Sequence, residues 1–204
     1  MSVYTDAYQF HQIARGLPVV STAPTEEPVS LEDVASHCRI DVADEGAFLG
    51  SLIKAAREMV ETDARLALMS QTLALRLDCF PSWEIELRAH PVVAISSVVY
   101  LSTANVSTTM DSSDYRVDIY SKPSILTPAY GETWPATYPV TNAVTITFTA
   151  GYTSQTAVPE LAKRAIYLLV GDWYRNRERI SEVGSSIRDA YDETLRRLRW
   201  AGDV

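Results

Sequence analysis

The hydrophobic pattern of this chain changes its period twice, and this limits the folds open to it. Apolar side chains recur every three or four positions between residues 45 and 66, which predicts an amphipathic helix. From residue 72 the period becomes two, most clearly at Val144, Ile146 and Phe148, which predicts half-buried strands. A helical pattern returns after Pro159, a residue suited to a first helical turn. The pattern therefore predicts an α+β protein whose small helical bundle is interrupted by a β region.

The β region contains several short strand candidates separated by turn-rich pieces. About 80 residues of short strands are typical of an antiparallel sandwich or partial barrel. The turn-rich pieces are residues 102–105 and 127–139. The strand candidates are residues 72–79, 84–87, 92–101, 106–110, 115–119 and 144–149.

The first regular element is predicted at Ser30. Residues 30–33 resemble a capping box with Asp33 in the reciprocal place, so a short helix should run to about Cys38. The preceding residues contain three prolines and no sustained period, which predicts an extended arm, with a frayed terminus as an equal alternative. The predicted organisation is an extended N-terminal arm (1–29), a helical bundle (30–70 and 152–180), an inserted β domain (71–151) and a hinged C-terminal amphipathic helix (181–204).

The helix after Pro159 is apolar on nearly every side. Such a helix has to be covered on more than one side, and we expect the core of so small a protein to cover only one. A neighbouring subunit is the simplest cover for the other side. The candidate subunit-interface residues are Ile166, Leu169, Val170, Trp173 and Tyr174.

The C-terminal segment combines a hinge with a narrow apolar stripe. Gly184, Ser185 and Ser186 predict a flexible joint. After it, Ile187 and Tyr191 begin a helical stripe that continues through Leu195 and Leu198 to Trp200. A helix of this kind can lay its stripe in a groove of a partner protein.

Composition excludes several classes of function. The chain has 204 residues and a net charge of −8, which argues against a protein that wraps nucleic acid. No apolar run approaches 18 residues, so we expect no membrane span. Cys38 and Cys79 have no metal-binding spacing and suggest a reducing compartment. The first residues lack the features of a signal peptide, so an intracellular product is expected.

No motif predicts catalysis, a cofactor or a metal. The three histidines, His11, His37 and His90, have no second histidine at ligand spacing. Cys38 adjoins His37, but neighbours on a helix point in different directions, so the pair is not arranged for proton transfer. The carboxylates between Asp111 and Asp118 miss the spacing of a calcium loop and are better explained as solvated turn residues.

The ordered set of segments resembles a known family. A helix in "VSLEDVASHCRID" is followed by "DEGAFLGSLIKAAREMVE", a strand in "SQTLALRLDCFP", the segments "IELRAHPVVAISSVVYL" and "DYRVD", and finally "YGETWPATYPVTNAVTITFTAGY" and "VPELAKRAIYLLVGDWYRNRE". This order is similar to that of the head–tail connector (adaptor) proteins of tailed double-stranded-DNA bacteriophages, in the longer branch with a β-rich insertion. The resemblance covers about residues 28–180.

The resemblance implies a structural virion protein of the neck, made in the host cytoplasm. Connectors of this family form rings, typically of twelve copies, beneath the portal. Such a ring extends the DNA channel, lets DNA pass without specific binding, and docks a stopper or tail component. In relatives the C-terminal segment often reaches the portal, which implies the portal-contact residues Ile187, Arg188, Tyr191, Leu195, Arg196, Arg197, Leu198, Arg199 and Trp200.

The sequence leaves three other interpretations open. The chain could be a different neck or tail-completion protein, such as a stopper. It could be a stand-alone module that binds carbohydrate through Trp83, Trp134 and Tyr138. A hydrolase using scattered acids is the least favoured, because no set of polar residues has the spacing of an active site.

Overall fold

The computed structural model describes residues 16–39, 41–176 and 185–199. Within these ranges the chain divides into two compact units. The β unit consists of residues 16–23 and 71–150, and the helical unit of residues 24–70 and 151 onward. The elements are β1 (Val19–Thr22), α1 (Leu31–Cys38), α2 (Val42–Ala64), β2 (Gln71–Leu77), β3 (Ile85–Leu87), β4 (Val92–Leu101), β5 (Ser107–Thr109), β6 (Tyr115–Asp118), β7 (Ser124–Pro128), β8 (Val144–Ala150), α3 (Glu160–Arg175) and α4 (Ser185–Leu198), with a single 3₁₀ turn at Gln155–Ala157.

The β unit contains two antiparallel sheets, which confirms the α+β prediction. The five-stranded sheet has the order β1-β2-β8-β4-β5, and the three-stranded sheet has the order β3-β7-β6. At the centre of the larger sheet, Ile146 lies opposite Leu75 on one side and Val98 on the other. All three side chains are fully buried, as the period of two predicts. Neither sheet closes into a barrel in the described part of the chain.

Two strands lie where none was predicted. β1 precedes Ser30 and pairs with β2, with Val19 opposite Ala74. Its four residues are all exposed, so no apolar alternation marks it. β7 begins before the segment 127–139 that was expected to be turn-rich and extends two residues into it, and Ser124 and Pro128 occupy two of its buried positions. Because a polar residue and a proline stand where apolar residues are expected, the period of two is lost from the sequence.

The helical unit is organised around α2 and α3. α1 begins as predicted, because the Ser30 hydroxyl accepts a hydrogen bond from the backbone N–H of Asp33 at 3.0 Å. It ends at Arg39, which takes the left-handed conformation with φ of 58°. The buried apolar cluster draws on all four helices, including Val34 of α1, Val60 of α2 and Leu195 of α4.

A glycine is required where the chain returns from β8. Gly151 has φ of +107°, and a Cβ atom there would overlap the backbone carbonyl group of Met69. Beside it, the backbone N–H of Ser70 donates to the carbonyl of Tyr152 at 2.9 Å. The close approach of these two backbone segments therefore excludes any side chain at position 151.

Candidate assembly surfaces

The apolar side chains of α3 are largely covered within their own unit. Ile166, Leu169 and Val170 are fully buried, and they belong to the cluster that α1, α2 and α4 complete. This corrects the expectation that one side of the helix stays uncovered. α4 packs back on α3, so the unit supplies the cover that a neighbouring subunit was expected to supply. These three residues are therefore core residues.

The end of α3 leaves apolar surface available. Trp173 and Tyr174, the remaining candidate interface residues, are half-buried. The ring of Tyr174 lies 6.5 Å from that of Phe48 on α2, whose side chain is 40% exposed. At the start of α3, Leu161 is 38% exposed. Among the described residues of the helical unit, the exposed large apolar side chains thus lie near the two ends of α3.

The apolar stripe of α4 is also occupied within the helical unit. Tyr191 and Leu195 are each 4% exposed, and Leu198 packs against the same core while Ile187 is half-buried. The stripe that was expected to reach a partner groove therefore packs against the core of its own unit. Of the expected hinge at Gly184, Ser185 and Ser186, Gly184 lies outside the described residues, and the two serines are the first residues of α4.

Polar contacts fix the position of α4. The hydroxyl of Tyr191 donates to the Asp63 carboxylate at 2.9 Å, and the Arg199 guanidinium donates to the Asp63 backbone carbonyl at 2.7 Å. Burial, followed by the hydrogen bond to Asp63, raises the pKa of Tyr191. This hydroxyl therefore stays protonated and keeps donating at any physiological pH.

The outer side of α4 presents charges of both signs, because Asp189 and Asp192 are exposed on it as well as the arginines. Arg188, Arg196 and Arg197 are exposed, and the Arg197 guanidinium pairs with Glu193 at 2.8 Å. Hydrogen bonds from Arg197 and Arg196 lower the pKa of Glu193. Trp200, the last candidate portal-contact residue, lies outside the described residues. Of the candidate portal contacts, the arginines are thus the ones accessible to a partner.

A buried arginine ties the segment before α1 to α2. Arg57 is 3% exposed, and its guanidinium donates to Glu27 at 2.8 Å and to Glu61 at 2.7 Å. Burial alone would lower the pKa of Arg57, but these two carboxylates raise it. Glu61 also accepts from the backbone N–H of Leu68 at 2.8 Å. This network was not predicted from the sequence, although the spacing of Arg57 and Glu61 on one helix face could have indicated half of it.

The histidines and cysteines of the described chain have structural surroundings. The ring of His37 stacks on that of Tyr167 at 5.2 Å. Burial raises the pKa of the Cys38 thiol, with Arg175 opposing it, and burial also raises that of Cys79. A raised thiol pKa disfavours the thiolate, which is the nucleophilic form. Burial, assisted by the Lys122 charge, lowers the pKa of His90.

The described ranges hold no group of three or more His, Cys, Asp or Glu residues arranged to bind a metal. Asp111 and Asp118, the carboxylates considered for calcium, instead accept hydrogen bonds from Ser113 and from Ser121. Among the described helices, none has the length and apolar character needed to cross a membrane.

One end of the β unit carries a cluster of aromatic side chains. The ends of β2 and β4 and the start of β8 meet there, since Leu77 and Tyr100 both lie opposite Val144. Phe80 stacks on Trp134 at 4.8 Å with the two rings nearly parallel, and its edge contacts Tyr100 at 5.7 Å. Trp134 donates to the Trp83 carbonyl. Trp83 precedes β3 and Tyr130 follows β7 at the same end of that antiparallel pair, in which Ile85 lies opposite Leu126. We call the group formed by Phe80, Trp83, Tyr130, Trp134 and Tyr138 the aromatic end.

The aromatic end leaves several rings accessible. Trp83 is 60% exposed, Tyr130 95% and Tyr138 37%, whereas Trp134 is half-buried beneath Phe80. Trp83, Trp134 and Tyr138 were candidate binding residues from the sequence, whereas Tyr130 and Phe80 were not predicted. The concentration of Pro and Tyr between residues 127 and 139 was the available signal.

Solved structures share this fold over nearly the whole chain, although no protein-family model and no curated protein matches the sequence. A chain from the neck of an empty gene transfer agent (GTA) particle, computed with C6 symmetry, has a TM-score of 0.76 and 22% identity over 92% of this chain and 97% of that chain. A chain from the virion of a native gene transfer agent (GTA) particle has a TM-score of 0.74 and 23% identity over the same shares. A chain from the neck of a native GTA particle, computed with C12 symmetry, has a TM-score of 0.72 and 22% identity over the same shares.

Proposed function

We propose that this chain is a structural protein of a particle neck, an adaptor whose copies form a ring beneath the portal and extend the DNA channel. The observation that carries the proposal is the likeness to GTA neck chains, with a TM-score of 0.76 over 92% of this chain and 97% of that chain. The likeness therefore includes both compact units. A fold by itself does not specify a function, so the proposal also depends on the surfaces described above.

The ring is proposed to contain twelve copies. The necks that hold the similar chains were computed with C6 and C12 symmetry. A ring of identical subunits needs a heterologous interface, in which two different surfaces of each copy meet. In the helical unit, the exposed Phe48 and the half-buried Tyr174 beside it, with the half-buried Trp173 next along α3, provide an accessible apolar surface suited to one side of such an interface.

The portal is proposed to contact the outer side of α4. Because Tyr191 and Leu195 hold that helix on its own unit, the contact falls to the exposed Arg188, Arg196 and Arg197. Exposed arginines suit a partner surface that carries carboxylates, since the guanidinium binds them in a bidentate manner.

DNA is proposed to pass through the ring without being held. The chain carries 26 acidic and 18 basic residues, a net charge of −8. A ring of such chains repels phosphate overall, which favours passage and disfavours retention.

The test uses the purified full-length chain and the portal protein encoded in the same genome. We expect the two to co-sediment, and mass photometry of the mixture should show one discrete multi-copy species. A chain that stays monomeric, or forms a closed dimer, both alone and with the portal would overturn the proposal. Direct portal binding also separates an adaptor from a stopper, which should bind only after another neck ring is in place.

A further inference from the structure

The aromatic end exposes apolar surface that the described part of the β unit does not cover. Trp83 and Tyr130 are 60% and 95% exposed, and Tyr138 is 37% exposed. Single exposed aromatic residues are ordinary, but several on one group of loops mark an interaction site. Tryptophan and tyrosine are also the residues most enriched among those that dominate binding energy at protein interfaces.

The loops that carry these rings are braced against one another. The indole N–H of Trp134 donates to the backbone carbonyl of Trp83, which fixes the loop after β2 to the segment before β8. The backbone N–H of Tyr138 donates to the Leu101 carbonyl at 2.9 Å, and that of Asn142 donates to the Asp78 carboxylate at 2.8 Å. A surface held in this way loses little conformational entropy when a partner binds.

The charged side chains of the same loops are all acidic. Residues 78–84, 102–106 and 129–143 contain Asp78, Glu84 and Glu132 but no Lys, Arg or His. All three carboxylates belong to exposed residues. The electrostatic complement of such a surface is a partner patch that carries lysine or arginine.

We propose that the aromatic end is the docking site for another protein of the neck, whose matching surface has an apolar pocket rimmed by lysine or arginine. The inference rests on the proposed function and adds to it by naming the surface and the chemistry of the partner. Trp83 and Tyr138 fill the pocket, Tyr130 lies at its margin, and the carboxylates of Glu84 and Glu132 face the basic rim.

The same observations disfavour two other occupants. A second copy that met this surface with its own aromatic end would place the carboxylates of Asp78, Glu84 and Glu132 opposite their equivalents, and like charges repel. A carbohydrate would need open aromatic faces, but one face of Trp134 is covered by Phe80. Trp134, one of the three aromatic side chains considered for a glycan, therefore has only part of its surface free for stacking on a sugar.

The decisive experiment compares two tyrosines that are similarly exposed but lie in different places. Tyr130 follows β7, whereas Tyr120, 89% exposed, lies in the turn between β6 and β7 at the other end of that hairpin. The probes are the purified neck proteins encoded beside this chain, each measured separately on the full-length chain, both as the ring on the portal and as the free subunit. Tyr130→Ala and Trp83→Ala should each weaken binding of one probe by about tenfold or more, while Tyr120→Ala should change it by less than about twofold.

Charge reversal supplies an independent arm of the test. Glu84→Lys combined with Glu132→Lys should weaken binding of the same probe and reduce its dependence on salt, because the attraction to a basic rim is removed. Circular dichroism should show unchanged folding, since all the altered side chains are exposed.

The outcomes separate this inference from the proposed function. If the wild-type chain forms no ring with the portal, the proposed function fails, and binding to the free subunit still decides the role of the aromatic end. If rings form but no neck protein binds, or binding survives Tyr130→Ala and Trp83→Ala, the inference is overturned. Loss of ring closure in these variants would identify a second copy as the occupant, and glycan binding that Trp83→Ala abolishes would identify a carbohydrate. Either result would also overturn it.

Discussion

Leu195→Ala tests whether α4 is held on its own unit, as the structure shows. Leu195 is 4% exposed and belongs to the apolar cluster of the helical unit. Replacing a buried leucine by alanine generally costs about 2–5 kcal/mol, and sites that can relax lie at the low end of that range. Because Leu195 is on the last helix, near the end of the described chain, we expect a loss of about 2–3 kcal/mol in the free energy of unfolding.

A second substitution separates the polar contact from the packing. Tyr191→Phe removes the hydroxyl that donates to Asp63 at 2.9 Å and leaves the ring in place. Hydrogen bonds to charged groups contribute roughly 1.5–3 kcal/mol, but Asp63 is half-exposed and can be solvated when the bond is lost. The expected cost is therefore about 1 kcal/mol.

Urea unfolding followed by circular dichroism at a helical wavelength measures both effects. With a slope of about 1.5 kcal/mol per molar urea, Leu195→Ala should lower the midpoint by about 1–2 M. The matched control is Arg188→Ala, an exposed position on the same helix, where a change within about 0.5 kcal/mol is expected. Equal midpoints for Leu195→Ala and Arg188→Ala would refute the packing of α4 described above.

Three further expectations concern the interior of the two units. Arg57→Ala should cost about 3–5 kcal/mol, because the carboxylates of Glu27 and Glu61 would lose their buried counter-charge, and a melting temperature like that of the wild type would contradict this. Leu169→Asp should prevent folding rather than leave folded monomers, since it buries an unpaired charge; a wild-type circular dichroism spectrum would show otherwise. The pKa of His90 is lowered from 6.5, so the unfolded chain binds the proton first, and stability should be complete above pH 6.5 and be lost as the pH falls through the folded pKa. Comparing urea midpoints at pH 7.5 and 5.5 checks this, and His90→Gln should show a smaller change than the wild type.

The elements that the sequence predicted best are those whose burial follows one simple period. Val144, Ile146 and Phe148 alternate without interruption, and β8 runs through all three between two partner strands. β4 begins and ends at its predicted residues 92 and 101. In contrast, β1 is a fully exposed edge strand, and its pairing with β2 is set by the partner rather than by its own pattern. Local period therefore predicts central strands well and edge strands poorly.

The candidate surfaces were harder to predict because they depend on contacts between distant residues. The period of α3 showed that it needed cover on several sides, but not that α4 would return to supply it. The pairing of Arg57 with Glu27 spans 30 positions, and the bond from Trp134 to Trp83 spans 51. Sequence spacing indicates which residues share a helix face or strand face, and it carries no signal for partners so far apart.

The most direct test of the central claim is the rotational symmetry of the assembly that the full-length chain forms with the portal protein of its own genome. Electron-microscopic images viewed down the channel should show a closed ring of twelve copies stacked coaxially on the portal. A mixture in which the portal remains bare, with this chain present as monomers or closed dimers, would contradict the account.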